Sequence, residues 1–236
     1  MRRLATSFSI FIALIAIASA SPPALVSEIG PNDFRISDFA EELVRAQYVE
    51  GLPYAQARQL TPADVEILTE MLADPAEAEH HDNIVMALGI SGDPQAYPAL
   101  TQFRDDPPEG EIDSAAYRAR RALPLAMGHL ARSDPRAFQF LLDAVHARAI
   151  ASVPEWSYRH LTGERLERIL RRAAITGVAM SGQPEAIAAL RALGEHVRDD
   201  LNETDELRVH VREAQRLCER VVREGSDQVF GSGSPP

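Results

Sequence analysis

The chain has a single cysteine, a single tryptophan and no lysine among its 236 residues. Cys218 alone cannot close a disulfide within the chain, so folding has to rest on packing. All 24 basic residues are arginine, a choice that reflects genome composition more than function. Beyond the first twenty residues no apolar run is long enough to span a membrane. The histidines show neither HExxH nor zinc-finger spacing, and the acidic stretch Asp105, Asp106, Glu109, Glu111, Asp113 lacks the ligand order and glycine of an EF-hand. No catalytic motif rises above chance. A formal charge of -11 argues against nonspecific binding to nucleic acid or anionic lipid.

What is present begins at the N-terminus. Arg2 and Arg3 form a basic region, Phe8 to Ala18 is apolar apart from Ser9, and Ala18-Ser19-Ala20 supplies a small-residue cleavage pattern. Together they predict a signal peptide over residues 1–20, with Ser21 as the mature start. The alternative is an uncleaved anchor, which the shortness of the run opposes. No cysteine follows the run, so a lipid anchor there is not expected. The predicted location is therefore extracytoplasmic, in a periplasm or the medium. Residues 21–114 carry 19 acids against 4 arginines, residues 115–176 carry 5 against 11, and residues 177–236 carry 11 against 7. The central basic band thus lies between two acidic segments, suited to an acidic partner or to another copy's acidic end.

The middle of the chain is punctuated by proline. Gly92-Asp93-Pro94, Ser133-Asp134-Pro135 and Gly182-Gln183-Pro184 each read as a helix end, a tight turn and a helix start, with Thr61-Pro62 as a fainter copy. After Pro94 the apolar residues are Ala96, Tyr97, Leu100 and Phe103. After Pro135 they are Ala137, Phe138, Leu141 and Leu142, and after Pro184 they are Ala186, Ile187, Leu190 and Leu193. Offsets of two, three and six recur in all three copies. Such a stripe buries one helix face and requires a neighbour to bury it against. Small residues before the turns, Ala87, Gly128 and Gly177, predict close approach of the two helices of a pair, and Pro124 predicts a kink. Leu207, Val211, Ala214, Cys218 and Val221 predict a final helix with one apolar face.

Ala87–Leu100, with Ala-Leu-Gly, the Gly-Asp-Pro turn and a following Ala…Pro-Ala-Leu helix, resembles the HEAT-like repeat of the kind also found in phycobilisome lyases. The resemblance covers roughly residues 61–198 and implies an all-α solenoid of about four antiparallel helix pairs, closed by a C-terminal capping helix. It also places the first helix of each pair on the outer, convex side. Pro-to-Pro spacings of 32, 41 and 49 depart from a strict period and imply insertions between repeats. The expected organisation is an extended leader over 21–35, the repeat domain over 36–224 and a disordered Gly/Ser/Pro tail over 225–236.

Fold gives no function by itself. The reading that best fits an array without catalytic motifs is an exported, non-enzymatic scaffold that binds another protein and needs no cofactor. Its candidate contact residues are Trp156, Tyr158, Arg159 and His160 in an aromatic insertion, and Arg165, Arg168 and Arg172 in the basic band. Trp156 has two possible roles, a plug between repeats or a contact. For the arginines, which include Arg118, Arg120, Arg121 and Arg171, the alternative is a solvated face. Two other classes stay open. One is a lyase-like or metal-dependent enzyme using His80 and His81 beside Glu77, Glu79 and Asp82, or using Cys218. The other is a self-assembling structural subunit.

Overall fold

The computed structural model describes residues 36–49, 51–146, 156–199 and 205–231. The stretches expected to be a signal peptide and a leader, Val153, Pro154 and the last five residues lie outside the described residues. The regular part begins at Thr61. Its hydroxyl accepts from the Asp64 N–H while the Asp64 carboxylate accepts from the Thr61 N–H, at 3.3 and 2.7 Å. Two otherwise orphaned donors are satisfied reciprocally, and Pro62 occupies the first turn of the helix.

In chain order the helices are α1 (Ile36–Arg45), α2 (Tyr54–Ala57), α3 (Pro62–Ala73), α4 (His81–Ser91), α5 (Ala96–Asp105), α6 (Ser114–Leu130), α7 (Pro135–Val145), α8 (Gly163–Met180), α9 (Pro184–Asp199), α10 (Asp205–Glu224) and α11 (Ser226–Gly231). A 3-10 turn over Pro75–His80 leads into α4. Two short strands, β1 (Gly110–Glu111) and β2 (Trp156–Ser157), pair in parallel. The pairs α1/α3, α4/α5, α6/α7 and α8/α9 stack in sequence, and α10 closes the end, as the repeat pattern predicts.

The turns follow one chemistry. Gly92 and Gly182 take φ of +74° and +67°, a region that side-chain-bearing residues avoid. Before them, Ser91 and Ser181 donate to the Leu88 and Val178 carbonyls, each at 2.7 Å, and accept from the Asp93 and Gln183 N–H. The helices that follow bury the predicted stripe. Ala96, Leu100, Ala137, Leu141, Ala186 and Leu190 are enclosed, while Tyr97, Phe138 and Ile187 pack at the edge. One core cluster runs from Ala40 to Cys218, and the five predicted α10 residues are all buried.

Two expectations are corrected. The close approaches lie between first helices of successive pairs, not within a pair. A Cβ on Gly89 would strike the Ala126 backbone, one on Gly128 would come within 2.6 Å of the Gly177 carbonyl, and one on Gly177 would strike the Pro124 carbonyl. The row α4–α6–α8–α10 is therefore the tightly stacked one, with α7 seated between α6 and α8 and α9 between α8 and α10. In α4, α6 and α8 the last turns of this row are buried. The tail also departs from expectation. Within 225–236, Ser226–Gly231 forms α11 and packs on α2, because Phe230 and Asp227 find partners there. α6 is one continuous helix through Pro124.

The backbone contact at Gly177 leads to a defined expectation. Gly177→Ala places a methyl against the Pro124 carbonyl, which neither helix can yield without repacking. A loss of about 3 kcal/mol in urea unfolding, with an unchanged denaturant slope, is expected, whereas the same change at exposed Gly110 should not lower stability by packing.

Candidate functional site

The aromatic residues from Trp156 onward pack back onto the repeats. Ile112 N donates to Ser157 O at 2.8 Å beside the β1/β2 pair, and Trp156 sinks between Ile112 and Leu166, only 5% exposed. Of its two expected roles, its burial fits the plug and removes it from the accessible surface. Tyr158 stacks on Tyr117 with centroids 4.2 Å apart. Tyr158 and Leu161 exchange backbone hydrogen bonds, which leaves Arg159 at φ +53° and His160 exposed at the tip of a turn. Arg159 lies over the Tyr158 ring.

The basic band is largely committed to neighbouring elements. Arg118 pairs with Asp82 at 2.7 Å and Arg172 with Glu206 at 2.7 Å, each joining two successive first helices. Arg168 lies 3.8 Å from Glu164 within α8, a pair too exposed to contribute much. Arg121 and Arg165 are exposed. A second set of bonds recurs from repeat to repeat. Arg120 of α6 donates to the Phe103, Arg104 and Asp106 carbonyls at the end of α5. Arg171 of α8 donates to the Val145 carbonyl at the end of α7, and Arg208 of α10 to the Val197 carbonyl in the last turn of α9. Each satisfies orphaned carbonyls and places a cation at the negative end of a helix dipole.

The histidine and acid cluster does not converge. α4 starts only at His81, so Glu77 and His81 do not share one α-helical face. Glu77 is taken by Arg45, Asp82 by Arg118, and the His81 Nε2 lies 3.2 Å from the Asp74 carbonyl. Among the described residues no group of three acid, histidine or cysteine side chains could hold a metal. Cys218 is fully buried, and burial pushes its thiol up to about 11, away from nucleophilic use.

Two stretches that the sequence presents separately do meet. His81 and the acidic loop at Asp106–Pro108 line one cleft with α3, α5 and α6, of about 430 Å3. Its walls include Leu72, Ala99 and Phe103, and Arg120 supplies its cation. The size and the mixture of apolar wall with few polar groups are those of a binding cleft. Sequence reasoning placed Arg120 only in a face of arginines, because nothing local shows that α5 ends beneath it.

A further cluster was invisible in the sequence. Tyr54 donates to Asp227 at 2.7 Å and accepts from Arg132 at 2.7 Å, while Arg58 and Arg132 reach Asp227 at 3.5 and 3.3 Å. Phe230 covers His129, with ring centroids 5.1 Å apart. Burial, then the nearby Arg132 and Arg58, pushes His129 down to about 3, so its imidazole is neutral. Burial and the bond to Asp227 push the Tyr54 phenol up to about 12.

His129 makes the fold acid-sensitive. Its folded pKa lies below the unfolded value of 6.5, so the unfolded chain binds more protons as pH falls from about 6.5 toward 3, and stability falls with it. The expected slope is up to about 1.4 kcal/mol per pH unit. Urea midpoints at pH 7, 5.5 and 4 should fall more steeply for the native chain than for His129→Leu, and parallel curves would contradict the assignment.

Residues 36–119 match the family model of HEAT repeats. The match is to HEAT repeats in general and does not single out the lyase type. Comparisons with curated proteins and with solved structures give no match. The matched stretch contains α1 to the first turns of α6 and almost the whole cleft wall. The pairing of helices in the matched stretch continues through α6/α7 and α8/α9 to make an all-α, solenoid-like array.

Proposed function

We propose that the chain is an exported, non-enzymatic HEAT-repeat scaffold that binds another protein. The observation that carries this reading is the cleft between α3, α5 and α6, an open, mostly apolar concavity built into the HEAT repeats themselves. HEAT arrays present rigid stacked helices, so a partner meets a preformed surface and little ordering free energy opposes binding. The Arg159–His160 turn and the exposed Arg121 and Arg165 are the cationic points from which an acidic partner is steered. Export is supported by the N-terminal pattern of Arg2, Arg3, the apolar run and Ala18-Ser19-Ala20. No helix among the described residues is long and apolar enough to cross a membrane.

The test uses the chain expressed in its own host. N-terminal sequencing of the protein from the extracytoplasmic fraction should begin at Ser21. Affinity capture from that fraction should return a partner that is retained by the native chain, weakened by Arg159→Ala/His160→Ala at low salt, and lost when Ala78→Trp fills the cleft. Recovery of the intact N-terminus from the cytoplasm would remove the export reading. Capture unchanged by both variants would remove these surfaces as the interface.

A further inference from the structure

Arg120 is held differently from the arginines that pair with acids. Arg45, Arg104, Arg118 and Arg136 each pair with a carboxylate, whereas no acid among the described residues lies within ion-pair distance of Arg120. Its charge is instead held by backbone. Nη1 donates to the Phe103 and Arg104 carbonyls and Nη2 to the Asp106 carbonyl, while the guanidinium lies over the Phe103 ring, 4.0 Å from its centroid. Burial pushes this group down to about 10, and only Asp106 partly offsets the loss of solvent.

The hydrogen-bond inventory of a guanidinium completes the point. Five N–H groups are fixed in one plane. The two terminal nitrogens are anchored on the end of α5, and Nε–H has no acceptor among the described residues. Nε–H and the adjacent N–H of Nη2 form the side edge of the fork, the edge that receives a carboxylate bidentately. That edge belongs to a side chain that lines the cleft, held rigid by its three carbonyls and by Phe103. A carboxylate bound there would gain from the partly desolvated setting and would supply a counter-charge at ion-pair distance, which this half-buried cation lacks among the described residues. Around it, Leu72, Ala99 and Pro108 offer apolar wall. Asp106 and its neighbours Asp105 and Glu109 repel strongly acidic chains, so the site selects a lone carboxylate with apolar neighbours.

We propose that the α3/α5/α6 cleft is a carboxylate-recognition site in which the side edge of Arg120 takes the acidic side chain of an extended, otherwise apolar segment of the partner protein. This rests on the scaffold reading above and names the chemistry of its partner. The probes are two capped peptides, acetyl-Leu-Glu-Leu-amide and acetyl-Leu-Gln-Leu-amide, titrated into the isotope-labelled full chain by NMR. The glutamate peptide should shift the amides of Ala99, Phe103 and Ala116 saturably, at least tenfold more tightly than the glutamine peptide. Arg120→Gln should abolish the preference. Ala78→Trp, which fills the cleft from the 3-10 turn and leaves Arg120 in the sequence, should block both peptides and guards against the case in which Arg120→Gln frays α5. Equal response to the two peptides, or a preference that survives Arg120→Gln, overturns the site even where a captured partner upholds the scaffold. Equal response to free 3-methylbutanoate at the same concentration overturns the peptide assignment in favour of a small organic acid. A peptide preference with no captured partner upholds the site and counts against the scaffold alone.

Discussion

The array depends on backbone-to-backbone contact between successive first helices. Gly89 against Ala126, Gly128 against Gly177 and Gly177 against Pro124 bring α4, α6 and α8 closer than any side chain would allow. At that separation the neighbouring Leu88, Met127, Leu130, Ile175 and Val178 are enclosed from both sides. Packing at this density leaves no slack, so one added methyl has to move a helix. The second helices follow as consequences. α7 and α9 drop into the grooves between first helices, and their stripes at offsets two and six from each proline are what those grooves accept.

A chain without disulfides must also hold its helix ends. Here the ends are tied by polar groups that cross from one repeat to the next. Arg120, Arg171 and Arg208 each reach back to the last carbonyls of the preceding second helix, while Ser91 and Ser181 close the turns at the opposite edge. At that edge the cluster of Tyr54, Arg58, Arg132 and Asp227 brings α11 onto α2, joining residues 173 positions apart. Surface ion pairs of this kind contribute little singly. Their setting beside the buried His129 and Phe230 gives them a fixed geometry that isolated pairs lack.

Much of this was legible in the sequence because it is local. The proline punctuation and the stripe of α10 report short-range geometry, and each appears where the residues placed it. What was not legible is set by juxtaposition. Gly128 and Gly177 announce close approach but do not say to what. Ser226–Gly231 looks like tail until Tyr54 and Arg132 are placed beside it. The cleft combines residues from Thr69 to Arg120, and no periodicity marks them as neighbours. The histidine and acid cluster, kept only as an alternative, disperses for the converse reason. Neighbours in sequence, Glu77, His81 and Asp82, are drawn to Arg45, the Asp74 carbonyl and Arg118 because the 3-10 turn separates their directions.

The exclusive use of arginine, whatever its origin in composition, has structural consequences that lysine could not meet. Arg136 grips both oxygens of Asp134 and still covers the Tyr97 ring, and Arg45 spans Glu41 and Glu77. An ammonium group offers a point charge with no plane to stack and no fixed fork. At Arg120 the distinction is sharpest. One edge of the guanidinium ends α5 while the plane rests on Phe103, and a lysine there would have to choose among a carbonyl, a ring and a ligand. The same planarity that lets arginine fasten one repeat to the next therefore leaves the Arg120 Nε–H without an acceptor among the described residues beside the cleft, so the structural tie and the proposed recognition group belong to a single residue.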